Sequence, residues 1–127
     1  FKQINDAYGH IVGDRVLRQL SKELLRNVRE NDLAGRYGGD EFCVILPDVP
    51  LEQASYVMER LREMFSRYRD PQVPELRVSL SIGLAAYQVH FTQAHMWLNA
   101  ADQALYAAKG TGRNRVTVAE SRIARSA

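Results

Sequence analysis

The sequence lacks the features that mark several large protein classes. It holds 1 cysteine among 127 residues, which excludes an internal disulfide framework and fits a reducing compartment. No apolar run approaches the roughly 20 residues that a membrane helix needs. Lysine and arginine total 17 against 15 aspartates and glutamates, so the net charge is only +2. That surplus is too small for a surface that binds a nucleic-acid polymer.

The composition that remains is typical of a soluble globular domain with one core, with 46% hydrophobic and 25% charged residues. Apolar residues recur at helical spacing over 14–28, 51–68 and 94–109, which predicts three amphipathic helices. Asp14 stands at the predicted start of the first helix, where an aspartate can cap free N–H groups. The predicted buried faces are Val16, Leu17, Leu20, Leu24, Leu25 and Val28; Ala54, Val57, Met58, Leu61, Met64 and Phe65; and Leu98, Ala101, Leu105 and Ala108.

The sequence patterns that predict strands lie between these helices and after the last of them. Two β-prone runs, 33–37 and 42–46, flank Gly38-Gly39 and predict a hairpin, since both glycines can take positive φ. Apolar and polar residues alternate over 75–84, which predicts a long strand with one buried face, and a short strand is predicted at 115–118. The fold class is therefore α/β, with one mostly antiparallel central sheet flanked by helices.

Two adjacent carboxylates, Asp40 and Glu41, are predicted at the tip of the hairpin. Adjacent carboxylates repel one another unless a cation is near, and oxygen ligands at a tight turn suit Mg²⁺ bridging to phosphates. The glycines would leave room for a phosphate beside the main chain. An isolated Asp-Glu pair would more simply be a solvated turn.

The Asp40-Glu41 pair belongs to one of four separated segments that resemble the motifs of a known family. The string Gly38-Gly39-Asp40-Glu41-Phe42 resembles the signature of the GGDEF family of diguanylate cyclases. Residues 1–14, 79–84 and 101–115 resemble that family's other motifs, in the same order. A single five-letter motif would be weak support, whereas four ordered matches make chance resemblance improbable.

The resemblance implies a fold like the palm of nucleotidyl cyclases and polymerases, and a reaction that condenses two GTP into cyclic di-GMP and pyrophosphate. By match, Asn5 and Asp14 would bind the guanine edge, and the amide and carboxylate can satisfy its donors and acceptors. Asp40 and Glu41 would be the catalytic and metal-binding carboxylates, with Mg²⁺ or Mn²⁺ as cofactor. The remaining substrate-binding residues implied are Lys2, Gly38, Gly39, Lys109 and Arg113.

Lys109 and Arg113 have an alternative interpretation as exposed cations near a helix C-terminus, where they would interact favourably with the helix dipole. Their spacing of four residues would place them on one face of a helix. Because each domain holds one GTP and two hydroxyls must attack each other's α-phosphates, the resemblance implies a homodimer as the catalytic unit.

A second constellation, Arg29 and Asp32, matches the family's RxxD inhibitory site for cyclic di-GMP, with Arg60 as a secondary arginine. An arginine fork suits guanine or phosphate acceptors, and an aspartate suits the guanine N1 and N2 donors. The alternative is an exposed salt bridge at a helix end, which would contribute little.

We expect a catalytic domain over residues 1–120 and a frayed tail over 121–127. The family's domain begins one strand earlier, and that strand carries a metal-binding aspartate, so the 127 residues alone are expected to be weakly active or inactive. A catalytically inactive domain that binds GTP or cyclic di-GMP is the alternative function. The domain itself is expected to be cytoplasmic, without membrane contact, and to follow a sensory or receiver domain.

Overall fold

The computed structural model describes residues 2–119 and, of Lys2, only its place in a helix; the predicted tail at 121–127 lies outside the described residues. Four helices and four strands follow in the order α1 (Lys2–Tyr8), α2 (His10–Asn27), β1 (Leu33–Gly38), β2 (Glu41–Ile45), α3 (Leu51–Ser66), β3 (Ile82–Leu84), α4 (Ala94–Gly110) and β4 (Val116–Val118). Two compact units form. The first comprises Phe1–Val49 with Arg69–Leu76, and the second comprises Pro50–Tyr68 with Arg77–Ala127.

The first unit is built on α2, with α1 packed beside it. Helix α2 is amphipathic, and its buried apolar side chains recur at every fourth residue. The buried apolar residues of this unit are Val12, Val16, Leu20, Leu24 and Leu76. The prediction of Leu25 as a buried residue is wrong, since it is 69% exposed, because it lies one position past the stripe that Leu24 occupies.

The hairpin of β1 and β2 is also in the first unit, and its prediction is confirmed. The strands pair antiparallel from Leu33 opposite Ile45 to Gly38 opposite Glu41. The register shifts between Arg36 and Gly38, so Tyr37 is the extra residue of a bulge.

The second unit places α3 and α4 against a parallel pair of strands, β3 and β4. A parallel pair needs a crossover connection, and α4 is that connection. Gly83 lets β3 approach α4 closely, because a Cβ at this position would overlap the backbone of Ala101 and Leu105. The buried apolar residues here are Ala54, Met58, Leu61, Phe65, Val78, Ala104 and Ala108.

Two strand predictions need correction. The described residues form two separate two-stranded sheets, one antiparallel and one parallel, where the sequence predicted one mostly antiparallel sheet. Of the predicted strand over 75–84, only Ile82–Leu84 is paired in the described part of the chain. Burial still alternates before it, with Leu76 and Val78 buried and Arg77 exposed. The alternation reports which face is buried, whereas a strand also needs a hydrogen-bonding partner.

Candidate functional site

The hairpin turn is closed by its own backbone and by one arginine. Gly39 adopts φ 50°, a conformation that glycine reaches without a steric penalty. Gly38 does not adopt the positive φ that is open to a glycine, and it pairs with Glu41 as part of β1. The side chain of Arg36 donates from Nε to the carbonyl oxygen of Gly39 at 2.7 Å, across the turn.

This geometry presents both carboxylates beside a small-residue turn. Asp40 is exposed in the turn itself, and Glu41 is half-buried as the first residue of β2. Their adjacency at the hairpin tip is confirmed. Within residues 2–119 no group of three or more histidine, cysteine, aspartate or glutamate side chains is arranged to hold a metal ion. Two carboxylates still fit Mg²⁺, because Mg²⁺ is commonly held by one or two carboxylates together with substrate phosphates.

A second cluster of the first unit joins α1 to the start of α2. The carbonyl oxygen of Asn5 accepts a hydrogen bond from the backbone N–H of Gly9 at 2.8 Å. The side-chain Oδ1 of Asn5 occupies the space that a Cβ on Gly13 would need. Asn5 is therefore held directly against the residue that precedes Asp14, which brings these two predicted guanine-binding residues to one place.

The predicted cap at Asp14 is wrong. Helix α2 begins at His10, its N-cap residue is Gly9, and no side chain caps it by a hydrogen bond. The helix starts four residues earlier than predicted, because Gly13, which the sequence analysis placed before the helix, is a buried helical residue and Val12 already belongs to the buried stripe. Asp14 is an exposed residue of the helix, with its carboxylate available to solvent. Lys2 belongs to α1, and the prediction for its side chain lies outside the described residues.

Arg29 and Asp32 form a closed, local ion pair after α2. Arg29 donates from Nη2 to Asp32 Oδ1 at 3.0 Å and from Nε to Oδ2 at 3.3 Å, and its backbone N–H donates to Oδ2 at 2.7 Å. Nη2 also donates to the carbonyl oxygen of Pro47 at 2.9 Å. The side chain of Asp32 is 2% exposed, while that of Arg29 is 55% exposed.

The ion pair shifts the pKa of both residues. Side-chain and backbone hydrogen bonds from Arg29 hold the pKa of Asp32 below its ordinary value, and the bond to Asp32 raises the pKa of Arg29. The predicted spacing thus corresponds to a real contact. Its form differs from an exposed salt bridge, because the carboxylate is buried while the guanidinium faces solvent.

The second unit holds the remaining predicted cations. Lys109 is exposed in the last turn of α4. Arg113 lies beyond the end of the helix with φ 61°, so the prediction that helical spacing sets the two on one face is wrong. Arg60 is exposed on α3, with its guanidinium 6.0 Å from the centre of the Tyr56 ring. Lys109, Arg113 and Arg60 lie in the second unit and the carboxylates in the first.

One buried ion pair escaped the sequence analysis. Arg15 donates to both carboxylate oxygens of Asp70 at 2.9 Å, from Nε and from Nη2. Asp70 Oδ1 also accepts from the backbone N–H groups of Gln72 and Val73, at 2.8 and 3.0 Å. The bond from Arg15 dominates and, with the two N–H donors, lowers the pKa of Asp70 to about 2 against the opposing effect of burial. An aspartate before Pro71 at the start of a loop was the available signal.

A helix capable of crossing a membrane is not found among the described residues.

Comparison with known proteins places these features in a family. Residues 1–115 match the family described as "Diguanylate cyclase, GGDEF domain". The chain is 42% identical over 119 residues to the "Probable diguanylate cyclase DgcC" of Escherichia coli (strain K12). The matched region covers 94% of this chain and 32% of that protein. The chain spans between 25% and 34% of the length of these curated relatives.

Two solved structures share the fold. The crystal structure of the GGDEF domain of DgcB from Caulobacter crescentus in complex with c-di-GMP matches with a TM-score of 0.87 and 35% identity, over 94% of this chain and 72% of that one. The active GGEEF domain of a diguanylate cyclase from Vibrio cholerae matches with a TM-score of 0.87 and 31% identity, over 94% and 76% of the two chains. With an α/β fold, a Gly38-Gly39-Asp40-Glu41-Phe42 turn and this extent of similarity, the chain belongs to the diguanylate cyclase GGDEF domain family.

Proposed function

We propose that the domain containing this chain is a diguanylate cyclase, which condenses two GTP into cyclic di-GMP and pyrophosphate. The observation that carries the proposal is the hairpin turn, where two carboxylates follow a glycine in the left-handed conformation. Membership of the family and identity of about 40% to proteins named as diguanylate cyclases support it. The assignment of residues 1–120 to one catalytic domain stays a prediction.

Guanine recognition is assigned to Asn5 and Asp14. An aspartate accepts from the N1–H and N2 amino group of guanine together, and an asparagine amide can meet the remaining edge. The packing of Asn5 on Gly13 supports a shared role for Asn5 and Asp14, since it holds the Asn5 amide against the residue that precedes Asp14. The exposure of Asp14 leaves its carboxylate open to a ligand.

The phosphates are assigned to three cations, Lys2, Lys109 and Arg113, and the turn is assigned to the reacting centre. Asp40 and Glu41 would hold Mg²⁺ or Mn²⁺, which would neutralise phosphate charge and favour ionisation of the attacking hydroxyl. The small residues Gly38 and Gly39 leave the backbone open to a phosphate, because no atom within 4 Å would meet a Cβ at either position.

The chemical step is a phosphoryl transfer repeated twice. The 3′-oxygen of one GTP forms a bond to the α-phosphorus of the other, the bond from that phosphorus to pyrophosphate breaks, and the hydroxyl proton passes to a base. Asp40 and Glu41 are the carboxylates placed to assist that proton transfer. Since each GTP attacks the other, two domains must face one another, and a homodimer is the proposed catalytic unit.

Product inhibition is assigned to Arg29 and Asp32, with Arg60 as an additional contact. The exposure of the Arg29 guanidinium supports this assignment, because its donors can be reached from solvent. The buried Asp32 carboxylate is engaged by Arg29, so a guanine ligand that uses this carboxylate must take the place of at least one of those hydrogen bonds. A ligand acceptor for the displaced arginine donors would offset their loss.

Product formation from GTP and Mg²⁺ tests the proposal. We expect the full-length protein to form cyclic di-GMP, and the Asp40→Asn variant to lose turnover by about 100-fold or more, since one carboxylate at the reacting centre is removed. Glu52→Gln is the matched control, because Glu52 is an exposed carboxylate in the first turn of α3. Absence of product with retained binding of cyclic di-GMP would contradict the cyclase and favour a receptor domain.

A further inference from the structure

The loop after α4 has an unusual backbone. Gly112, Arg113 and Asn114 adopt φ 122°, 61° and 49°, so three consecutive residues lie on the positive side of φ. Glycine reaches this region freely and asparagine reaches it more easily than most residues, whereas for arginine it is costly. Such strain persists only where surrounding contacts fix it, and here it falls on Arg113, which the proposed function assigns to the triphosphate.

Hydrogen bonds of Asn114 and of the Arg113 backbone hold this loop. Asn114 Oδ1 accepts from Nη1 of Arg62, a residue of α3, at 3.0 Å. The backbone N–H of Asn114 donates to the hydroxyl of Ser81 at 3.3 Å. On the other side of the loop, Nε of Arg115 donates to the carbonyl oxygen of Arg113 at 3.1 Å, and the backbone N–H of Arg113 donates to the carbonyl oxygen of Ala108 at 2.9 Å.

Arg62 is itself fixed on α3. Its Nε and Nη2 donate to Glu59 Oε2 at 3.1 and 2.9 Å, and Nη2 lies 3.9 Å from Glu63 Oε1. The side chain of Arg62 is only 18% exposed. With the other two nitrogens committed to the helix, Nη1 is the atom that reaches the loop, and a planar guanidinium makes that direction rigid.

We propose that Arg62 is a positioning residue for nucleotide binding: through Asn114 it holds residues 112–115 in the conformation from which Arg113 reaches the phosphates. The proposal rests on the proposed function for the role of Arg113. Arg62 touches no substrate in this scheme, and its effect passes through the hydrogen bond to Asn114 Oδ1.

The experiment compares three substitutions at Asn114 in the full-length protein. Asn114→Ala removes the acceptor for Arg62 and disfavours positive φ, Asn114→Gly removes only the acceptor, and Asn114→Asp keeps an acceptor in a residue that tolerates positive φ. We expect the KM for GTP to rise about tenfold in Asn114→Ala, to rise less in Asn114→Gly, and to stay within about twofold of the original in Asn114→Asp.

A second readout separates positioning from general loss of structure. Guanosine has no phosphate, so its inhibition constant as a competitor of GTP should change less than about twofold in Asn114→Ala while the KM for GTP rises. The variants Arg62→Met and Arg62→Met/Asn114→Gly should raise the KM by the same factor, because Asn114→Gly removes only the acceptor of the hydrogen bond that Arg62→Met has already removed. Equal losses for guanosine and GTP, or additive effects of the two substitutions, would overturn the proposal.

The variant Arg113→Ala distinguishes a failure of this proposal from a failure of the proposed function on which it rests. A raised KM for GTP in Arg113→Ala together with an unchanged KM in Asn114→Ala would overturn the positioning role of Arg62 alone. An unchanged KM in Arg113→Ala would overturn the assignment of Arg113 to the phosphates, and the positioning role with it. A raised KM in both variants, with recovery in Asn114→Asp, is the result expected.

Discussion

Two arginine–aspartate pairs in the first unit share their chemistry and differ in their surroundings. In each, one guanidinium donates to both oxygens of one buried carboxylate. Arg15 and Asp70 are 55 positions apart in the sequence, and the carboxylate is 0% exposed. Arg29 and Asp32 are 3 positions apart, and the guanidinium is largely exposed.

The difference separates a structural pair from one that a ligand can reach. The Arg15–Asp70 pair ties α2 to the segment after α3 within the first unit, and two backbone N–H groups also donate to Asp70. The Arg29–Asp32 pair closes a short turn, and Arg29 makes one further hydrogen bond, to the carbonyl oxygen of Pro47. The buried long-range pair should therefore govern stability, and the local pair, whose guanidinium faces solvent, should govern ligand binding.

Removing one partner of the buried pair is the largest test of this comparison. Asp70→Asn should lower the free energy of unfolding by about 3–5 kcal/mol, because the Arg15 guanidinium would lose the carboxylate that compensates its charge. Asp32→Asn is the matched control and should cost clearly less, since Arg29 can turn to water. Urea denaturation of the two variants measures both, and equal losses would contradict the assignment of Arg15–Asp70 as the structural pair.

Acid should affect the buried pair in a defined window. The pKa of Asp70 is about 2 in the folded state, below its ordinary value of 3.8, so its contribution to stability is complete above about pH 4. As pH falls through 2 the folded-state carboxylate is protonated and that contribution is lost. Denaturation curves between pH 5 and 2 should show a fall in stability that is smaller in Asp70→Asn. The same fall in both proteins would show that Asp70 is not responsible.

The sequence predicted local features well where one pattern had one structural meaning. The hairpin followed from two β-prone runs around Gly38-Gly39, and α4 followed from apolar spacing that ends at Gly110. The contact of Arg29 with Asp32 also followed, because three residues in a turn keep both side chains within reach.

The same sequence patterns could not predict long-range contacts or the backbone conformation of individual residues. Nothing in the spacing of Arg15 and Asp70 connects them, since a pair across 55 positions depends on how the segments pack. The alternation over 75–84 reported burial and could not report which segments have strand partners. The positive φ of Arg113 could not be predicted either, because the loop that contains it makes contacts with Arg62 and Ser81, which are distant in the sequence.

Inhibition of turnover by added product tests both the proposed function and the assignment of the Arg29–Asp32 pair to ligand binding. Initial rates of cyclic di-GMP formation from GTP and Mg²⁺ should fall as cyclic di-GMP is added to the full-length protein. In Arg29→Ala the inhibition constant should rise by about tenfold or more, through loss of a charged hydrogen-bond donor.

Arg26→Ala is the control, because Arg26 is an exposed arginine in the last turn of α2, three residues before Arg29. The account predicts product formation by the unsubstituted protein, inhibition that Arg29→Ala weakens, and inhibition that Arg26→Ala leaves intact. Failure to form product from GTP, or an inhibition constant that is the same in Arg29→Ala as in the unsubstituted protein, would contradict it.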